Sequence, residues 1–202
     1  MASNHPPQAV PQGGGPERLP LPPMDALDTA QRAAAQALID GPRKAVYGPF
    51  VALLRTPALL DRVAQLGEAL RFGGALDARV RELVTSLVAA AVGNQFEWVM
   101  HQPLALAAGV NAGALEAIRL GARPEGLAAD EQVAADFAFE LLRHNGVAEP
   151  TWRRAAEVFG EPGVVELSTL IGYFVMVSWV MNVARAPSRP TGDVTPLPSQ
   201  PA

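Results

Sequence analysis

Through most of this chain apolar residues recur at intervals of three and four, and nowhere do they alternate with polar ones over a strand's length. That spacing puts them on one side of a helix with 3.6 residues per turn. Asp28 or Thr29 opens the first such segment, which runs to Leu38 and stops before Gly41 and Pro42. A loop from Val46 to Phe50 leads into a short segment, Val51–Arg55. Thr56 and Pro57 have the cap-then-proline form of a helix start, and the helix continues to Phe72 with Leu60, Val63, Ala64, Leu66 and Leu70 as its apolar face. A third helix from Asp77 to about Val92 carries Val80, Leu83, Val84, Leu87, Val88 and Ala91 on one side, and Gly93 interrupts it.

The next helix ends at Gly109 and contains Pro103, which removes a backbone donor, so a kink or break is expected one turn after His101. Shorter helices follow at Asn111–Leu120, from the capping Asp130 to His144, and at Pro150–Phe159, before a long apolar helix over Gly163–Arg185. The predicted fold class is all-α.

The ends differ in kind. Residues 1–24 hold seven prolines and three consecutive glycines, and residues 187–202 hold five more prolines. Such stretches bury too little apolar surface to offset the entropy of ordering them, so both read as flexible tails, mobile or draped on a neighbour. The folded domain is then residues 25–186, a usual size for one domain. Leu167–Ala184 is 18 residues without a charge, enough to raise a membrane span. Its scattered Ser, Thr, Gly, Tyr and Asn residues favour a helix buried in the core or at a subunit interface, and no membrane association is expected. No basic stretch followed by an apolar one marks a signal peptide at the N-terminus, so the cytoplasm is the default location.

Charge and cysteine content narrow the chemistry. The net charge is −4, with no basic cluster, which argues against nucleic acid as a partner. There is no cysteine, so disulfides, thiolate nucleophiles and thiolate metal ligands are all excluded. No glycine-rich phosphate loop or dinucleotide fingerprint occurs.

Three polar residues remain within strongly apolar sequence: Glu82, Glu97 and His101. Glu97 and His101 are four residues apart, hence neighbours on one helix face. A helix hairpin bending near Gly93 would bring Glu82 beside them. A buried carboxylate costs several kcal/mol unless paired, and His101 is the natural shared partner. One carboxylate would fix the ring and the other ring nitrogen would give or take a proton. The plainer reading is a histidine satisfied by one glutamate inside a helix interface. An open cavity at His101 favours catalysis, whereas a cleft closed by packed side chains favours a binding protein. Two glutamates and a histidine could form a hard-ligand metal set, but neither HExxH nor paired Glu-x-x-His is present, and no metal is expected.

Several of these residues belong to a longer pattern. Gly48–Pro49–Phe50 with Leu53–Leu54–Arg55, then Arg81–Glu82–Leu83, then Phe96–Glu97–Trp98 with His101–Gln102–Pro103–Leu104–Ala105, and later Glu166 with Ile171–Gly172–Tyr173, resemble the carboxymuconolactone decarboxylase family over residues 43–186. The resemblance implies the alkylhydroperoxidase D-like (AhpD-like) helical bundle. Thiol peroxidases of that superfamily carry a Glu, a Cys-x-x-Cys and a His; Glu82 and His101 fall on the Glu and the His, and Asn94 and Glu97 on the cysteines. Without sulfur, disulfide-cycling peroxidase chemistry is excluded. The resemblance implies instead a cofactor-independent decarboxylase of a small carboxylated lactone or related acid, and a homo-oligomer, trimer or hexamer. His101 would protonate the carbon, Glu97 or Glu82 would orient it, and Arg81 or Arg55 would hold the leaving carboxylate. Asn94, Trp98, Arg81 and Tyr173 are the candidate substrate-binding residues. Isomerisation, hydration or hydrolysis at the same site, and a non-catalytic oligomeric binding protein, are the alternatives.

Overall fold

A computed structural model describes residues 15–188 and 194–198. After a 3-10 turn at Met24–Ala26 come eight helices: α1 (Thr29–Asp40), α2 (Pro49–Leu53), α3 (Pro57–Glu68), α4 (Ala78–Ala91), α5 (Gln95–Ala107), α6 (Ala112–Arg119), α7 (Ala129–His144) and α8 (Glu149–Ala184). There is no strand among the described residues, as the helical spacing predicts.

The chain folds around α4. Its Val80, Leu83, Val84, Leu87 and Val88 are at most 1% exposed, and α5, α6, α7 and α8 all pack on it. Ala91, expected on the same face, lies at the surface because it is the last residue before the turn. On α3, Leu66 is exposed rather than buried, and Gly67 takes the inward position instead. A Cβ on Gly67 would collide with the Tyr173 hydroxyl, so α3 and α8 can approach this closely only with glycine there. The helix predicted to reach Phe72 does so through a π-helical turn at Ala69–Gly73.

Caps follow the sequence in part. Asp28 forms a reciprocal capping box with Gln31. Asp130 does not cap α7: the helix starts one residue earlier, and Asp130 turns to Arg79 at 2.9 Å. Glu131 accepts the N–H of Ala128 instead. Helix α5 runs through Pro103 to Ala107 without a break.

The two C-terminal helices expected over 150–159 and from 163 meet end to end. Gly160, at φ 67° and ψ 169°, is non-helical and bends α8 into halves of 149–159 and 161–184. By length and composition α8 could cross a membrane, with a mean hydropathy of 1.7 over its most apolar stretch, yet 44% of that stretch is buried inside the bundle.

Parts of the proline-rich ends expected to be flexible are held by the domain. The backbone N–H of Arg18 donates to Ala184 O at 2.8 Å, and Arg55 donates to Pro20 O at 2.7 Å. Leu197 is buried and exchanges two hydrogen bonds with the Gln95 side chain. Composition missed these segments because a few backbone hydrogen bonds and the single buried side chain of Leu197 hold them. The rest of both ends lies outside the described residues.

Candidate active site

The turn between α4 and α5 builds the site. Gly93, at φ 64°, lets Asn94 N–H reach back to Ala89 O at 2.8 Å while Gly93 N–H bonds Ala90 O at 3.2 Å. This double closure ends α4 and reverses the chain. Asn94 then caps α5, accepting the N–H of Glu97 at 2.8 Å. The resulting antiparallel pair sets Glu82, near the middle of α4, beside His101 in the second turn of α5.

His101 lies between two carboxylates. Its Nδ1 is 2.6 Å from Glu82 Oε2, and its Nε2 is 3.2 Å from Glu97 Oε2. All three residues are at most 7% exposed. The Phe174 ring of α8 packs edge-on against the imidazole, centroids 5.0 Å apart. Sequence reasoning left one ring nitrogen free, whereas the fold engages both.

The electrostatics follow from this clamp. Burial alone would lower the His101 pKa, but its bonds to Glu82 and Glu97, and their charges, raise it to about 9. Burial alone would raise the Glu82 carboxyl, yet the bond and charge of His101, followed by Arg81 and Arg71, hold it below its usual range. At neutral pH the group is therefore an imidazolium with its ring fixed by an ionised Glu82. Among the described residues no three His, Asp or Glu side chains are disposed to hold a metal ion.

Beside His101 is a cavity of about 70 Å³, wide enough for a small polar molecule and not filled by packed side chains. Glu82, Glu97, Arg81 and Tyr173 line it, as do Arg43 and Arg71, which sequence reasoning did not single out. Arg43 arrives from the loop after α1, bonded to Glu68 at 2.5 Å and placed 4.5 Å over the Phe50 ring. No spacing rule links that loop to α5, so only tertiary contact brings it in. Burial, and secondarily Glu97, pushes the Tyr173 hydroxyl up to about 12 against the pull of Arg43. It therefore stays protonated.

Thr85 is one turn beyond Glu82 on α4 and also lines the cavity. Its fully buried hydroxyl makes no hydrogen bond, and Arg81 Nε makes none either but is ion-paired with Glu82 Oε1 at 3.6 Å. Its i, i+3 spacing from Glu82 was a legible signal for Thr85.

Asn94, Trp98 and Arg55 are placed elsewhere. Asn94 Nδ2 donates to Ser178 O at 3.1 Å and to Asn182 Oδ1 at 2.6 Å. With its Oδ1 spent on the cap, the side chain has nothing left for a substrate. Trp98 is 1% exposed and its indole N–H donates to Thr195 O at 2.9 Å. Arg55 bonds backbone carbonyls of Val51 and Pro20. None of the three lines the cavity. Asn94→Ala should therefore cost about 2–3 kcal/mol, from a lost cap and unpaired buried groups. Urea unfolding would measure that loss.

Known proteins give an independent comparison. Residues 57–140 match the model of the carboxymuconolactone decarboxylase family. An uncharacterized peroxidase-related protein with an AhpD core, from Ralstonia eutropha, superposes with a TM-score of 0.69 at 18% identity, covering 89% of this chain and 95% of its own. A peroxidase-related protein from Silicibacter sp. gives 0.68 at 16% identity, covering 96% of each chain. The debrominase Bmp8 in complex with 2,3,4-tribromopyrrole gives 0.65 at 13% identity, covering 87% of this chain and 92% of its own. No curated protein matches the sequence. The matched segment holds Glu82, Glu97 and His101, and the fold around it is shared throughout. Residues 57–140, with Glu82, Glu97 and His101 among them, are thus similar to the carboxymuconolactone decarboxylase family, and the fold is that of the AhpD-like structures, here in a chain without cysteine.

Proposed function

We propose that the protein is a cofactor-independent acid–base enzyme, a decarboxylase of a small carboxylated lactone or related acid. The observation that carries this reading is a histidine held by both ring nitrogens between two buried glutamates at the wall of a cavity rich in arginine. Near the cavity, His101, Arg43, Arg71 and Arg81 are cationic against Glu82, Glu97 and the Arg43 partner Glu68. One positive charge is left over, which suits a monoanionic ligand.

In the proposed reaction the bond from the ring carbon to the substrate carboxylate breaks and CO2 leaves. The electron pair stays on that carbon, spread into a neighbouring carbonyl whose oxygen is stabilised by the cavity arginines. The proton on His101 Nε2 then passes to the carbon, and solvent restores it. Glu82 keeps the ring in place throughout, since its 2.6 Å contact is the tighter of the two. Glu97, at the looser 3.2 Å contact, is the side that yields to substrate. The debrominase of the same fold is bound to a small substituted ring.

A panel of carboxylated lactones and small keto acids, scored for both CO2 release and product formation, tests the proposal. Turnover with stoichiometric CO2 is the expected result. Product without CO2 would move the assignment to isomerisation, hydration or hydrolysis at the same residues. No turnover of any member, with a ligand nonetheless bound, would favour a binding protein.

A further inference from the structure

Ten positions after the end of α8, residues 194–198 return to the domain and meet the first turn of α5 and the last residue of α6. Their sequence, Val-Thr-Pro-Leu-Pro, prepares them to be held. Proline fixes the φ of residues 196 and 198, and a residue before proline is confined to extended conformations, which covers Thr195 and Leu197. Such a segment has little freedom left to lose on docking. Val194 and Leu197 pack on the core, whereas Thr195, Pro196 and Pro198 are exposed. Inward residues three apart match the three-residue turn of a polyproline helix.

Three side chains of the domain hold the backbone of this segment. The Trp98 indole N–H donates to Thr195 O at 2.9 Å, and Arg119 Nη1 donates to Pro196 O at 3.0 Å. The Gln95 amide donates to Leu197 O at 2.8 Å and accepts the Leu197 N–H at 3.0 Å. Three consecutive carbonyls are thus each taken by a different residue. Arg119 is braced for its part, since its Nε and Nη2 are both bonded to Glu116 at 2.7 Å.

The bonding pattern states which peptide fits. At positions 195 and 196 the groove bonds only carbonyls, so a proline at 196, which has no N–H, loses nothing there. At 197 both backbone groups are bonded, which rules out proline, and the side chain must be apolar to join the core. Aromatic-lined grooves that take preformed, proline-containing segments are a recurring mode of peptide recognition.

We propose that the groove formed by Gln95, Trp98 and Arg119 is a peptide-binding site for extended segments of the form apolar-x-Pro-Leu, with residues 194–197 as its resident ligand. Tethered to the domain, the resident segment has an effective concentration in the millimolar range and fills the groove even with a weak affinity of its own. A partner segment of the same chemistry enters by displacing it. Gln95 and Trp98 share the first turn of α5 with Glu97, but neither lines the cavity. The proposal therefore does not depend on the reaction assigned to that cavity.

Trp98 reports on the groove, because it is 1% exposed while Trp152 and Trp179 are 39% and 60% exposed. In the full chain, Leu197→Asp should expel the segment by placing a charge in the core. The Trp98 indole N–H signal, identified by comparison with Trp152→Phe and Trp179→Phe, should then shift, and its hydrogen exchange should quicken. A synthetic peptide of residues 193–199 should return the signal toward its wild-type position at millimolar concentration or below. The same peptide with aspartate in place of its leucine should not, and Gln95→Ala in the Leu197→Asp chain should abolish the return. Should Leu197→Asp lose helical circular dichroism, Leu197→Ala, which brings no charge into the core, decides by the same titration. An unmoved Trp98 signal in the folded variant would overturn the proposal. So would a peptide without effect at millimolar concentration, or an aspartate peptide that works as well as the native one.

Discussion

His101→Ala should lower turnover by about 10²–10⁴-fold, the usual contribution of a positioned acid or base. The loss should fall on kcat more than on KM, because proton delivery is made in the transition state while the arginines remain to bind the substrate carboxylate. Removing the ring also leaves Glu82 and Glu97 buried without their shared cation. Breaking such a pair costs about 3–5 kcal/mol, a large share of the 5–15 kcal/mol that holds a typical domain together. The variant should therefore be assayed below its unfolding temperature, with circular dichroism confirming the helices. Glu97→Gln separates the two effects, since it keeps a polar partner at Nε2 and removes only the charge. Full activity in His101→Ala would remove His101 from the mechanism.

The same clamp predicts how stability varies with pH. His101 is raised from its ordinary value of 6.5 to about 9. Its contribution is thus fully present below pH 6.5 and lost as pH rises through 9. At 1.36 kcal/mol per pKa unit, the loss between pH 6 and 9.5 is on the order of 3 kcal/mol. Glu82 is lowered from 4.5, so its contribution is present above that value and lost as pH falls through its folded pKa. Both describe one interaction from its two partners, and the amounts are not additive. Stability should peak between about pH 4.5 and 6.5. Urea unfolding midpoints at pH 6 and 9.5 measure the alkaline limb. Glu82→Gln should flatten most of it, because the 2.6 Å partner of Nδ1 is then neutral. An unchanged alkaline limb in that variant would trace the loss to another group.

Much of the fold was legible because helices announce themselves locally. The apolar rows on α4 and the stops at Gly41, Gly93 and Gly109 depend only on neighbours within a turn or two. Errors arose where a distant residue settled a local choice. Leu66 satisfied the helical spacing, but Gly67 faces inward because the Tyr173 hydroxyl needs its space. Asp130 had the right residue type for a cap, and Arg79, fifty-one positions earlier, drew it away. Asn94, a candidate substrate contact, has its polar atoms engaged by the α5 cap, the Ser178 carbonyl and Asn182, which no local spacing shows.

For the site, the sequence by itself determined the Glu97–His101 pair, since i and i+4 positions on a helix must be neighbours, and it determined that no sulfur chemistry is possible. It made Glu82 a reasonable third member through the hairpin at Gly93. Only the tertiary structure decided that both ring nitrogens are engaged and that His101 is therefore cationic at neutral pH. Only it brought Arg43 and Arg71 to the cavity and left Thr85 without a partner there. The reason is physical: a charge state and a cavity are sums over groups from several helices, and their packing distances are not written in the spacing along any one of them.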